Sequence, residues 1–210
     1  MHVALRVRNG ETLRLQVPGT HDIPLMQAVL RALLDEGERD NRTILVPRFD
    51  KAVDDRTNVE RWQSITGPVD VVIWEGWCLG VPPQAEEQLI APVNALEAEE
   101  DRQCLWRGFV NRALMHYQPL FEQVDIWVML QPPSFDCVYE WRLEQEQKLA
   151  ARVIHGDALM SAEQMARFIA FYQRLTEWGF ATVPHRVDYL FTLDNQRTIK
   201  GATQPCREGR

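Results

Sequence analysis

The 210-residue chain is 45% hydrophobic and 25% charged, the balance of an ordinary globular protein able to bury one good core. Its net charge of −7 gives nucleic acid no electrostatic reason to bind. No run of eighteen apolar residues predicts a membrane span, and the N-terminus lacks the basic flank and apolar core of a signal peptide. In chain order, "HVALRVRNGETLRLQV" alternates apolar and polar residues about Asn9-Gly10, the strongest short hairpin signal, because both turn positions need positive φ. The turn "PGTHD" follows. "IPLMQAVLRALLDEGERD" then predicts a helix, with Pro24 in its first turn and Gly37 at its end.

Thr43 to Val46 predicts a short strand that opens into the charged loop "PRFDKAVDDR". "VDVVIWEGW", starting at Val69, has no polar face and predicts a strand buried on both sides, as in a parallel sheet covered by helices. Residues 84–118 are helical in tone, interrupted near Pro92, and "VDIWVMLQPP" predicts a third buried strand. A helix follows with Ser134 as N-cap candidate. A second helix carries the capping box Ser161/Gln164 and ends at Gly179. "VDYLFTLD" predicts a fourth buried strand, and the polar tail from Lys200 is expected to fray.

Strands separated by helical stretches predict an α/β fold with a parallel sheet, whose ligands bind beyond the carboxyl ends of the strands. That rim would collect Arg48, Asp50 and Lys51, then Glu75, Gln131 and Asp194. Any one of these is ordinary for a strand emerging into water. Together they suit an anionic substrate or a nucleotide. Other features have plainer readings. The four cysteines (Cys78, Cys104, Cys137, Cys206) form no C-x-x-C pair, which argues for reduced cytoplasmic thiols over a zinc site. The tryptophans read as core, and Cys78 reads as a small buried residue. "EAEEDR" (Glu97 to Arg102) reads as a solvated helix face, with Asn94 and Glu97 as outside candidates for substrate contact.

Several segments in order, "PGTHD", "VPRFDKAVDDR", "VDVVIWEGWCLG", "PVNALEAEED", "VDIWVMLQPPSFDCVYEWRLEQE" and "MSAEQMARFIAFY", resemble consecutive blocks of the D-glycerate 3-kinase-like P-loop kinases, relatives of the uridine kinase and phosphoribulokinase group. The resemblance runs from about Val17 to about Ile199. It implies ATP- and magnesium-dependent phosphoryl transfer to a small hydroxy acid, most naturally D-glycerate, in a cytoplasmic protein. Chemistry of this kind is mostly positioning and charge neutralisation.

By that resemblance Glu75 is the strand-end acid beside the nucleotide's magnesium, in contact directly or through water, and Arg142 is the arginine reaching over the transferring phosphate. Lys148 and Arg152 are weaker nucleotide-side helpers. His21 and Asp22 belong to an acceptor-side loop, and Arg48, Asp50, Lys51 and Arg56 to the loop that receives substrate. The implied fold is a three-layer parallel sheet of the nucleoside-kinase type.

One departure is large. None of the three lysines follows a glycine, so G-x-x-x-x-G-K-[ST], whose amides, lysine and hydroxyl hold ATP and magnesium, is not in the sequence. The domain reading is therefore a non-matching hairpin over 1–16, a kinase-like α/β domain over 17–200 without its first strand and P-loop, and a tail over 201–210. The sequence is expected to be an N-terminally truncated kinase impaired in ATP turnover. The alternatives are a non-catalytic binding module and a chain that covers an open sheet slot by forming a homodimer.

Overall fold

The structure is a computed structural model that describes residues 17–34, 42–50, 55–150 and 161–205. The hairpin expected over 1–16 lies outside these residues. In chain order the elements are α1 (Ile23–Leu34), β1 (Arg42–Val46), β2 (Phe49–Asp50), β3 (Asp55–Arg56), a 3₁₀ turn (Val59–Arg61), β4 (Gln63–Gly67), α2 (Glu86–Ile90) and α3 (Ala95–Glu100). They continue as α4 (Leu105–Leu114), α5 (Gln118–Phe121), β5 (Val128–Gln131), α6 (Asp136–Ala150), α7 (Ala162–Thr182), β6 (Tyr189–Leu193) and β7 (Ile199–Thr203). The chain divides into two units: Met1–Leu79 with Phe109–Glu122, and Gly80–Gly108 with Gln123–Arg210.

In the first unit, α1 begins where Asp22 can cap it. The Leu25 N–H donates to Asp22 Oδ1 at 3.0 Å, satisfying one of the donors that a helix start leaves open. Met26, Val29 and Leu33 recur at helical spacing and are buried. Val29 and Leu33 pack with Ile44 of β1, flanked by Val46, Ile65, Val69 and Val72. β1 pairs antiparallel with β4, from Arg42 opposite Gly67 to Val46 opposite Gln63. A two-residue antiparallel ladder sets Phe49 opposite Arg56 and Asp50 opposite Asp55. Leu114, Tyr117, Leu120 and Phe121, from the end of α4 through α5, are all buried.

Gly19, in the turn before α1, has φ +97°, and a Cβ there would sit 2.7 Å from a ring carbon of Phe109. Both the left-handed backbone and the crowding oppose a side chain. Gly19→Ala should therefore lower stability by about 1–2 kcal/mol, read as a fall in urea midpoint at unchanged m-value. An unchanged midpoint would show that the turn relaxes freely.

The run from Val69 differs from the expected buried strand. Residues 69–76 enter no ladder among the described residues. The backbone there is irregular, and side chains alternate: Val72 and Trp74 are half-buried, while Val71 and Ile73 are 74% and 88% exposed. An apolar run reports a preference for burial, but a strand exists only where a neighbour accepts its hydrogen bonds.

The second unit holds the parallel pair in the described structure, β5 with β6, in register from Val128 opposite Tyr189 to Gln131 opposite Thr192. β7 adds antiparallel to β6. So the sheet is small and mixed where the sequence suggested a broad parallel one. Residues 200–203, expected to begin a frayed tail, belong to β7, whose preceding turn is tied. Asp194 Oδ1 accepts the N–H groups of Gln196 and Thr198 at 2.9 and 2.8 Å. Asp194 is thus a turn residue, and these bonds hold its carboxyl below the usual carboxylate range.

α7 starts at the expected capping box, with the Gln164 N–H donating to Ser161 Oγ at 3.1 Å and the Ser161 N–H donating to Gln164 Oε1 at 2.9 Å. It runs past Gly179, which lies inside the helix and not at its end. A Cβ at Gly179 would approach Val81 Cγ2 to 3.2 Å, so this glycine permits close packing. α6 begins at Asp136, two residues beyond Ser134. The acidic stretch from Glu97 is solvated only in part: Glu99, Glu100 and Arg102 are exposed. Glu97 is buried against Arg174 of α7, and Asp101 pairs with the buried Arg107 of α4. Asn94 caps α3 through the Glu97 N–H and donates to the Ala170 carbonyl at 2.9 Å, a structural role. No described helix is long and apolar enough to cross a membrane.

Candidate functional site

The first unit gathers the residues expected on the acceptor side. The turn over Val17–Asp22 is tied by the Thr20 N–H and hydroxyl, both donating to the Val17 carbonyl at 3.2 and 2.7 Å. The phenol oxygen of Tyr117 accepts the Gly19 N–H at 3.2 Å and lies 2.6 Å from His21 Nδ1. The two rings meet edge to face at 5.8 Å between centroids. Burial pushes the Tyr117 phenol up to about 12, against the smaller opposing effect of the Gly19 N–H it accepts, so it keeps its proton throughout the neutral range.

Asp22 divides its carboxylate. One oxygen caps α1, and the other takes Arg56 Nη1 at 2.9 Å. Arg56 owes its place to the β2–β3 ladder. The Thr57 N–H donates to the Arg48 carbonyl at 2.9 Å, and the Arg48 side chain is exposed. Asp50 lies 3.8 Å from Arg61 Nη1, and Lys51 falls outside the described residues. Glu75 is exposed, on the side of the 69–76 segment that also presents Val71 and Ile73. Nearby, Cys78 has φ +55° and a thiol that burial pushes well above its usual range, which makes it an unreactive residue.

The nucleotide-side residues named from the sequence lie in the second unit or outside the description. The Arg142 guanidinium donates to Gln145 Oε1 at 2.6 Å and lies over the Phe168 ring, 5.6 Å from its centroid. Lys148 pairs with Glu144 one turn earlier, and Glu144 also receives Arg197. These cations hold the Glu144 carboxyl below the usual range. Arg152 falls outside the described residues.

Tyr117 was not singled out from the sequence. A tyrosine in "MHYQPLF" reads locally as a core aromatic, and only its partners 96 and 98 residues away give its hydroxyl a task.

The fit of these residues to magnesium and ATP is partial. Among the described residues no group of three His, Cys, Asp or Glu could hold a metal ion. Glu75 offers one hard oxygen, and magnesium in kinases is commonly held by one or two carboxylates together with substrate phosphates. The cradle of amides and lysine that grips those phosphates is not among the 210 residues.

No protein-family model matches the chain. Among curated proteins it is 31% identical over 184 residues to mug58 of Schizosaccharomyces pombe, named an uncharacterized kinase, covering 85% of this chain and 60% of that one. It is 31% identical over 165 residues to TDA10 of Saccharomyces cerevisiae, named a probable ATP-dependent kinase, covering 74% and 52%. It is 32% identical over 161 residues to the chloroplastic D-glycerate 3-kinase of Arabidopsis thaliana, covering 73% and 32%. The chain thus spans less than two thirds of the length of each of these relatives.

Among solved structures, D-glycerate 3-kinase from Cryptococcus neoformans superposes with a TM-score of 0.72 at 28% identity, over 90% of this chain and 68% of that one. The YGR205w protein superposes with a TM-score of 0.67, also at 28% identity, over 91% and 67%. The mixed α/β architecture is therefore that of the D-glycerate 3-kinase fold. By sequence and by fold, the chain is a homologue of D-glycerate 3-kinase and of the kinases related to it.

Proposed function

We propose that this chain serves ATP-dependent phosphoryl transfer to a small hydroxy acid, with D-glycerate as the first acceptor to test, and that it contributes the acceptor side of that reaction. The observation that carries the proposal is the tied cluster of Gly19, His21, Asp22, Arg56 and Tyr117 in one unit. A tied turn beside an arginine suits recognition of a small carboxylate, because a guanidinium matches a carboxylate's two oxygens. In this reading Arg48 and Arg56 meet the acceptor carboxylate, with Asp50 and Lys51 beside them, and His21 supplies a neutral polar contact to the acceptor. Asp22 orients Arg56. Glu75 provides the acid next to magnesium, and Arg142, aided by Lys148 and Arg152, neutralises the transferring phosphoryl group. A cytoplasmic location belongs to the same proposal.

These 210 residues by themselves are expected to turn ATP over poorly. Each preorganised donor missing from a phosphate cradle removes roughly 3–4 kcal/mol of transition-state stabilisation. Calorimetry tests both halves of the reading. D-glycerate should bind, ATP with magnesium should give no measurable heat, and Arg48→Ala should weaken D-glycerate roughly tenfold or more, the worth of a hydrogen bond to a charged group. Absence of D-glycerate binding would refute the acceptor assignment. Slow but measurable phosphorylation of bound D-glycerate at high ATP would support the transfer reading, and none at any ATP concentration would favour a non-catalytic binding module. Val71 and Ile73, 74% and 88% exposed, support a homodimer as the form that covers them. Sedimentation at rising concentration should show the dimer, and a monomer throughout would remove it.

A further inference from the structure

The hydroxyl of Tyr117 is more fully committed than its place in the core requires. Its oxygen accepts the backbone N–H of Gly19 at 3.2 Å and lies 2.6 Å from His21 Nδ1. A phenol oxygen has two acceptor sites and one proton to give. Of these two partners the amide can only donate, so Nδ1 is the one able to take the hydroxyl proton, and the 2.6 Å contact is made by that proton. Were Nδ1 itself protonated, the hydroxyl proton would have no acceptor there. Leaving a buried donor unmade is the costly arrangement.

We propose that Tyr117 is a positioning residue for His21. Its hydroxyl fixes the imidazole as the neutral tautomer with a bare Nδ1 and a protonated Nε2, and it ties that ring to the backbone of Gly19. The ring of His21 and the turn two residues before it are thereby set by one atom. Resting on the acceptor-side reading given above, this makes His21 a hydrogen-bond donor through Nε2, suited to an oxygen of a hydroxy acid, and removes Nδ1 from any role as a base. The two rings pack edge to face at 79°. Burial keeps the phenol protonated, so the donor is present at every pH at which the fold is used.

The test is a two-bond ¹H–¹⁵N correlation spectrum of the full chain labelled at histidine, with the His21 signal identified by its loss in His21→Gln. At a pH where the ring is neutral, wild type should show Nε2 protonated and Nδ1 bare, with the shift of a nitrogen that accepts a hydrogen bond. In Tyr117→Phe the Nδ1 resonance should move to the value of an unbonded nitrogen. A proton on Nδ1 in wild type, or an unmoved Nδ1 in the variant, would overturn the proposal. If the variant fails to fold, the wild-type spectrum decides alone.

D-glycerate is then titrated into both proteins. It should shift His21 Nε2 and bind roughly two- to twelve-fold more weakly to Tyr117→Phe, the range expected for one neutral hydrogen bond. The predicted tautomer with no response to D-glycerate would overturn the acceptor-side reading while leaving the Tyr117–His21 bond established.

Discussion

Replacing Arg174 by alanine is expected to destabilise the protein by about 3–5 kcal/mol, the largest effect of any single substitution considered. Arg174 grips Glu97 through two bonds, Nε to Oε1 at 2.8 Å and Nη2 to Oε2 at 2.6 Å. It also donates to the carbonyls of Gln88 at 3.0 Å and Ala91 at 2.6 Å. Both side chains are less than a tenth exposed. Alanine would leave a buried carboxylate whose remaining close donor is the Val93 N–H at 3.0 Å, with Arg107 at 3.9 Å. Two carbonyls would lose a charged donor as well.

The same pair of helices supplies the control. Arg167 of α7 meets Glu100 of α3 with both side chains about half exposed, so Arg167→Ala should leave the urea midpoint almost unmoved. Urea unfolding followed by tryptophan fluorescence would measure both. Equal effects would mean that burial is not what sets the cost. Replacing Glu97 and Arg174 together by glutamine and methionine should cost less than the sum of the single changes, because no buried charge is then left alone.

The network also shows where reading residues in sequence stops. Glu97 lies in a run of acids, and local composition assigns such a run to water. Its partner is 77 positions away, and burial follows from that pairing. The Val69 run fails for the complementary reason. Its apolar residues were legible, but a strand is a property of two segments, and no described residue pairs with it. Features set by local rules came through: Pro24 in the first turn of α1, the capping box of α7, and the positions of strands β1, β5 and β6, whereas the burial expected of β5 and β6 did not, since no residue of either is fully buried. The site divides the same way. His21 and Asp22 were visible in the turn "PGTHD" and Arg56 in the separate charged loop, and the structure joins Asp22 to Arg56. Asp22 doubles as a helix cap, which "HDIPL" signals through an acid before Ile23-Pro24. Tyr117 was not visible, because its hydroxyl acquires meaning only from the turn it reaches.

That hydroxyl carries the second large prediction, in alkali. An unfolded tyrosine titrates near pH 10, whereas Tyr117 is pushed up to about 12, chiefly by burial. Below pH 10 the phenol is protonated in both states and its full contribution is present. As pH rises past 10 the unfolded chain releases a proton that the folded chain retains, so the unfolded state gains and stability falls. The fall continues until the folded phenol also ionises near 12. Two pK units correspond to about 2–3 kcal/mol lost across that window.

Ionisation also removes the proton that bonds His21 Nδ1, so the turn loses its clamp in the same range. Cys78, whose thiol is raised by burial, adds a loss of the same sign. Comparison with Tyr117→Phe isolates the tyrosine. Below pH 10 the variant should be less stable than wild type by a constant amount. Between pH 10 and 12 the two urea midpoints should converge, because the variant has no phenol to titrate. Parallel curves across the whole window would mean that Tyr117 ionises in the folded protein as readily as in water, and the buried clamp on His21 would have to be abandoned.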